Sequence, residues 1–172
     1  MLENINIELN PFEEKHLERT LQWVNDIEIM NRINRVLPVT MFEHQEWFKK
    51  ITLDSRQVVF AIENKATGNH LGNCGLRDID YRSRKAELWI YLGSNYHRHG
   101  TGTIATQLLI DYGFSYLNLN RIYLYTLEYN EAAIRTFSHC GMVEEGRFRQ
   151  DVFICNRYYD TIRMAILRSN YR

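Results

Sequence analysis

The most informative segment about the fold is Glu87-Leu88-Trp89-Ile90-Tyr91-Leu92, together with the residues directly after it. Its aliphatic, aromatic and β-branched side chains predict a strand. The strand breaks at Gly93, and the segment His97-Arg98-His99-Gly100-Thr101-Gly102-Thr103 leads into an amphipathic helix. A helix N-terminus that follows a glycine-rich, basic loop is suited to phosphate, because unpaired N–H groups and the helix dipole converge there. The alternative is a simple tight turn.

Further elements extend this unit in both directions. A second strand runs from Arg121 to Glu128, and Asn130 begins a second helix that ends at Gly141. Thr40 and Glu43 form a capping box at the start of another helix. Alternation and turn residues predict the remaining elements, which are a strand at 5–9, a helix at 13–24, strands at 57–63 and 71–80, and a hairpin of strands 142–153 and 158–167.

The order of these elements predicts an α+β fold. It reads β-α-α-β-β-β-α-β-α-β-β, in which meanders and a hairpin exclude a simple doubly wound sheet. A mixed, mostly antiparallel sheet with helices on both faces fits this order. The only crossover is the β-α-β unit around the glycine loop.

Composition restricts the class of protein. The 172 residues suit a single domain spanning 1–172, with 45% apolar and 24% charged residues. The 21 basic and 21 acidic side chains balance, so no global field favours nucleic acid. The apolar runs are too short for a membrane span, and the N-terminus lacks signal-peptide features. The three cysteines lack metal-site spacing. We therefore expect a cytoplasmic protein without a metal, nucleic-acid or membrane partner.

Two motifs together resemble a known family. The Gly100-x-Gly102 loop and the later Asn130-Glu131-Ala132-Ala133 segment are similar to motifs A and B of the GNAT superfamily of acyl-CoA-dependent N-acyltransferases. Glu145-Gly146-Arg147 and Tyr158-Tyr159-Asp160 resemble its ribosomal-protein N-terminal acetyltransferase branch. The resemblance covers almost the whole chain. It implies a three-layer fold with a seven-stranded sheet, acetyl-CoA as cofactor, and direct transfer to a primary amine.

The resemblance also implies a cofactor site. In such enzymes the strand before the loop separates from its neighbour, and its backbone binds the pantetheine arm. The residues expected to contact the cofactor here are Ile90, Tyr91, Leu92, Arg98, His99, Gly100, Thr101, Gly102, Thr103, Asn130 and Phe137. One departure from the family pattern is His97, which lies where arginine or glutamine is usual.

Glu87 is the candidate general base. It shares one face of its strand with Trp89 and Tyr91, beside the expected slot. A lysine-like ammonium is neutral in only about one part in a few thousand at pH 7, so a base is needed. The alternative is a structural carboxylate paired with Arg84 or Lys85.

The general acid is a second departure. Phe137 occupies the position of the tyrosine that usually protonates the leaving thiolate in this superfamily. A thiol pKa of about 8.5 makes the thiolate a tolerable leaving group without an acid. Ser138 is the substitute candidate, and Tyr129 is an alternative.

The acceptor is a small-molecule amine in our interpretation. Trp23, His44 and Trp47 are the candidate substrate contacts, although core packing is the alternative for the tryptophans. The residues around them are similar to GNAT enzymes that acetylate nucleotide-linked amino sugars, which we favour. Asp111-Tyr112-Gly113-Phe114 instead resembles spermidine acetyltransferases. A protein N-terminus and a non-catalytic CoA-binding module remain alternatives. The resemblance also allows a homodimer.

Overall fold

A seven-stranded sheet in the order β1-β2-β3-β4-β5-β7-β6 forms the centre of the protein. The computed structural model describes residues 2–33, 38–94 and 100–171. Every neighbouring pair of strands is antiparallel except β4 and β5. The predicted mixed, mostly antiparallel sheet is therefore confirmed. The strands are β1 Ile7–Pro11, β2 Val58–Asn64, β3 His70–Asp80, β4 Lys85–Leu92, β5 Arg121–Leu127, β6 Val143–Ile154 and β7 Arg157–Leu167.

Five α-helices are described, α1 Leu17–Val24, α2 Ile27–Arg32, α3 Met41–Leu53, α4 Thr101–Ser115 and α5 Glu131–His139. The predicted capping box is present at the start of α3. The Glu43 N–H donates to the Thr40 hydroxyl at 3.2 Å, and the Glu43 carboxylate accepts the Thr40 N–H at 2.8 Å. None of the described helices is both long and apolar enough to cross a membrane.

Helix α2 is absent from the sequence prediction. The pair Asn25-Asp26 indicated only the end of the preceding helix. Asp26 in fact begins a new one, because its carboxylate accepts the N–H of Glu28 at 2.8 Å and caps the N-terminus of α2. Six residues carry too little periodicity to reveal such a helix in a sequence.

The helices cover the two faces of the sheet, and the strand alternation assigns each side chain to a face. Cys74 on β3 is fully buried in the apolar core with Leu88 of β4, Leu109 of α4 and Phe137 of α5. Its neighbour Asn73 points the opposite way and donates to the Thr20 hydroxyl of α1 at 2.9 Å. Helices α4 and α5 therefore pack on one face, and α1 packs on the other.

Candidate active site

Strands β4 and β5 separate in the middle of the sheet. Their parallel pairing covers only three residue pairs and ends at Glu87–Tyr123. Beyond that point β4 continues to pair with β3 as far as Leu92, and β5 continues to pair with β7 as far as Leu127. The two strands therefore enclose a slot, which we call the β4–β5 slot, that begins at Glu87 and opens towards their C-terminal ends.

The backbone of β4 presents hydrogen-bonding groups to this slot. The Gly93 N–H donates to the Leu71 carbonyl of β3 at 2.9 Å, and the Arg84 carbonyl accepts from Arg121 of β5 at 3.1 Å. Because these groups alternate along a strand, odd-numbered residues of β4 face β3 and even-numbered residues face β5. The N–H and C=O groups of Ile90 and Leu92 thus point into the slot, whereas those of Tyr91 bond to β3.

The N-terminus of α4 follows the slot. Gly100 caps the helix with a φ of 73°, a left-handed conformation that favours glycine. Ile104 is the first residue whose N–H bonds to a helix carbonyl, that of Gly100, at 3.0 Å. The N–H groups of Thr101, Gly102 and Thr103 precede it, in the first turn, where helices have no internal acceptors. This turn therefore has the properties expected of a phosphate site. The predicted phosphate contacts Arg98 and His99, with His97, lie outside the described residues.

Helix α5 flanks the first turn of α4. The Cys140 thiol lies 3.5 Å from the Thr103 carbonyl, and Phe137 is buried between the two helices in the core. The Asn130 side-chain oxygen accepts the N–H of Ala133 at 3.3 Å, so it serves as a helix cap. Ser138, the next residue, is exposed. The cofactor contact predicted for Asn130 stays a prediction.

Glu87 lies at the closed end of the slot. Its side chain is 12% exposed and forms an ion pair with Arg77 of β3, not with Arg84 or Lys85 as in the structural alternative. On the other side it is in register with Tyr123. Burial raises the pKa of the Tyr123 phenol, and the neighbouring Glu87 carboxylate raises it further. Tyr123 is therefore a neutral hydrogen-bonding group beside the carboxylate at neutral pH.

An arginine stacks on the tyrosines beside Glu87, an arrangement that sequence reasoning missed. The Arg163 guanidinium lies 4.6 Å from the ring centre of Tyr123 and 5.6 Å from that of Tyr125. Register explains this contact, because Arg163 of β7 is paired with Tyr125 of β5. The two segments are almost forty residues apart, so the sequence carries no local signal of the pairing.

A second missed group lies where the slot opens. Glu128 directly follows β5, and its carboxylate accepts the N–H of Asp160 at 3.0 Å. Arg147 bridges both carboxylates, at 3.2 Å and 3.4 Å. The adjacent tyrosines Tyr129 and Tyr159 make an edge-to-face contact at 4.8 Å. We call these four residues, Glu128, Tyr129, Tyr159 and Asp160, the acidic–aromatic cluster.

The structure separates the three predicted substrate contacts. Trp23 is 9% exposed and contacts Tyr91 of β4, close to the slot. His44 is buried and stacks on Trp47 at 5.0 Å, and Trp47 packs on Phe12. Helix α3 packs on α1 and β2, and β2 is two strands away from β4. The contacts of His44 and Trp47 thus resemble core packing more than a site beside Glu87.

Comparison with known proteins identifies the family. Residues 6–143 match the Acetyltransferase (GNAT) domain. The chain belongs to the GNAT acetyltransferase family. Its relatives include the spermidine N(1)-acetyltransferase of Vibrio cholerae, 35% identical over 129 residues that cover 75% of this chain and 74% of that protein. The corresponding enzyme of Escherichia coli K12 is 30% identical over 166 residues, or 96% and 88% of the two chains.

A solved structure shows the same fold. The V. cholerae spermidine N-acetyltransferase in complex with CoA and spermine superimposes with a TM-score of 0.93 at 30% identity, over 98% of this chain and 99% of that one. The predicted GNAT fold, the acyltransferase class and acetyl-CoA as cofactor are thereby confirmed. The roles of the individual site residues stay predictions. Within the described ranges, no three His, Cys, Asp or Glu side chains are arranged to hold a metal ion.

Proposed function

We propose that this GNAT enzyme acetylates a primary amine of a polyamine such as spermidine, with Glu87 as general base. The observation that supports the reaction is the separation of β4 and β5 immediately after the Glu87–Tyr123 pair. This arrangement brings a carboxylate next to backbone groups without strand partners. The relatives favour the polyamine alternative over the nucleotide-linked amino sugar that the sequence analysis preferred.

The acidic–aromatic cluster is the second argument for a polyamine. Glu128 and Asp160 add two carboxylates at the open end of the slot, and Arg147 offsets only one. Carboxylates and the faces of tyrosine rings both attract alkyl-ammonium groups. A second ammonium of the acceptor would bind here while the reacting amine lies near Glu87.

Glu87 would remove the proton that prevents attack. An alkyl-ammonium with a pKa of about 10.4 requires roughly 4–5 kcal/mol to become neutral at pH 7. A carboxylate held by Arg77 at the closed end of the slot can accept this proton directly or through one water. Tyr123 would orient the carboxylate, since the two side chains are neighbours in register.

The backbone would hold acetyl-CoA, which supplies the acetyl group as an activated thioester. Slot-facing groups of Ile90 and Leu92 would bond the pantetheine arm, and one of the N–H groups would face the carbonyl oxygen as charge develops. The first turn of α4, Thr101 to Thr103, would bind phosphate oxygens. The residues present therefore fit this cofactor, because Ile90 and Leu92 lie beyond the last β4–β5 pair and Thr101 to Thr103 form the first turn of α4.

A thiol-release assay with acetyl-CoA tests this function. The purified chain is compared on spermidine, a nucleotide-linked 4-amino sugar and an alanine-led peptide, and mass spectrometry identifies the acetylated nitrogen. We expect kcat/KM for spermidine to exceed the others by at least about tenfold, equivalent to about 1.4 kcal/mol of transition-state binding. Faster turnover of the amino sugar or the peptide would contradict the proposed acceptor.

A variant of the acidic–aromatic cluster tests the acceptor separately from the chemistry. In Asp160→Asn we expect KM for spermidine to rise about threefold to tenfold with little change in kcat, since one attractive charge is lost. The matched control is Glu131→Gln, which removes an exposed carboxylate of α5 paired only with Arg135 among its described ion-pair partners. Equal effects of the two substitutions on KM would remove the cluster from the acceptor site.

A further inference from the structure

The ring of Trp23 lies directly against the residue at which the chain leaves β4. Gly93 follows β4, and a Cβ atom added to it would approach Nε1 of Trp23 to 2.5 Å and Cε2 to 2.6 Å. The φ angle of Gly93 lies outside the left-handed region, so its backbone does not itself require glycine. The indole of α1 therefore fills the space that a side chain at position 93 would need.

Ser94, the residue after Gly93, is hydrogen-bonded to the residue that caps α2. The Ser94 hydroxyl donates to the Asp26 carboxylate at 3.0 Å. The other oxygen of the same carboxylate accepts the N–H groups of Glu28 and Ile29 and caps α2. Asp26 thus joins the N-terminus of α2 to the chain as it leaves β4.

Trp23 is itself held in place by a buried polar network. Its ring contacts the rings of His70 at 4.7 Å and Tyr91 at 6.4 Å. Asn73 links both of these residues, since its side chain bonds His70 Nε2 at 2.8 Å and the Tyr91 hydroxyl at 2.9 Å. A displacement of the indole would disturb this network, which makes the ring a rigid support.

We propose that Trp23 and Asp26 are positioning residues for acetyl-CoA. They fix Gly93 and Ser94 against α1 and α2 and so hold the end of β4, directly after Leu92, in place. In this proposal Trp23, predicted from the sequence as an acceptor contact, would act through Gly93. The inference rests on the proposed placement of acetyl-CoA along β4 and α4. These contacts also join α1 and α2 to the end of the strand that would bind the cofactor.

A suppressor experiment tests this contact. Gly93→Ala, Trp23→Phe and the double variant are compared with wild type by calorimetric titration of CoA, with thermal melts to confirm folding. We expect Gly93→Ala to raise the Kd for CoA about tenfold, because the new Cβ displaces the loop from the indole. Phenylalanine lacks Nε1 and the fused ring, so the double variant should recover to within about threefold of Trp23→Phe alone.

Ser94→Ala gives a milder test that leaves the cap of α2 intact. We expect a rise in Kd of about threefold and a higher KM for acetyl-CoA at unchanged kcat, whereas Ser115→Ala at the far end of α4 should have no effect. Should Gly93→Ala fail to fold, this pair decides the question.

Two results would overturn the inference. One is a Gly93→Ala protein that binds CoA as wild type does, and the other is a double variant no better than Gly93→Ala. Wild-type protein that binds CoA but leaves spermidine unmodified would contradict the proposed acceptor alone, because the titration contains no amine.

Discussion

The two faces of the sheet are built from different chemistry. Against α4 and α5 the buried side chains are mostly apolar, and Leu88, Leu109 and Ile122 are 0–2% exposed. Against α1 the buried side chains include His16, Glu63 and His70, joined by hydrogen bonds and ring contacts. The apolar face stabilises the fold and keeps β4 and β5 in position. The polar face carries the groups that we assign to proton transfer and to the support of Gly93 and Ser94.

Truncation of the apolar face should have the largest effect on stability. Leu109→Ala leaves a cavity in a fully buried position, and we expect the free energy of unfolding to fall by about 3 kcal/mol. Urea denaturation measures this change. Leu53→Ala is the control, since Leu53 is 86% exposed at the end of α3. Equal losses in both variants would mean that the core does not dominate stability.

Glu87→Gln should separate chemistry from folding. We expect kcat for spermidine at pH 7 to fall about 100-fold, or roughly 2.7 kcal/mol, because the amide cannot take the proton. The Kd for CoA and the melting temperature should change little. Glu144→Gln, an exposed carboxylate on β6, serves as the control. An unchanged rate and pH profile would exclude Glu87 as the base.

Acid should weaken the polar face through His70. Burial lowers the pKa of this side chain from 6.5 to about 4. The folded state therefore binds the proton more weakly than the unfolded chain does. The contribution of neutral His70 to the free energy of unfolding is complete above pH 6.5 and is lost as the pH falls towards 4. Between pH 7 and pH 5 the loss is about 2 kcal/mol.

The variant His70→Gln isolates this contribution. Its free energy of unfolding should change less between pH 7 and pH 5 than that of wild type, by about 2 kcal/mol. Urea titrations at the two pH values give the difference. The same pH dependence in both proteins would show that His70 is not the responsible group.

Phe137→Tyr should have the smallest effect. Phe137 is buried in the apolar core, and by its resemblance to the family it occupies the position of the usual tyrosine, so a hydroxyl there would restore that acid. Because a thiolate leaves without help, we expect kcat to rise by less than about tenfold. Steady-state rates from pH 7 to pH 9 measure the gain. A loss of activity would indicate that the added oxygen disturbs the core instead.

The parts of the site that the sequence predicted depend on local backbone chemistry. Gly100, Asn130 and Thr40 each act within a few residues of their own position, as a left-handed cap or as side-chain caps. Such caps can be recognised because all the residues that form them lie within one short segment of the sequence. The order of helices and strands along the chain followed from the same turns and alternation, and the family resemblance predicted the slot between two strands.

The parts that it missed depend on register between distant segments. The ion pair of Glu87 with Arg77, the stacking of Arg163 on Tyr123, and the bond between Glu128 and Asp160 each join two separate segments of the chain. The contact of Trp23 with Gly93 likewise needs the packing of α1 on the sheet. A single sequence contains no local signal that shows which distant residues become neighbours through strand register or helix packing.

Strand β4 has a consequence for mutational tolerance. In the proposed cofactor site its contribution comes from the N–H and C=O groups of Ile90 and Leu92, which every amino acid carries except that proline lacks the N–H. A library at Trp89, which shares a strand face with Glu87, would therefore vary a side chain near the proposed base while the proposed pantetheine contacts are retained; Tyr91 is excluded because its hydroxyl accepts from Asn73 in the network that holds Trp23. Acceptor preference in this protein can change by point substitution more readily than its use of acetyl-CoA.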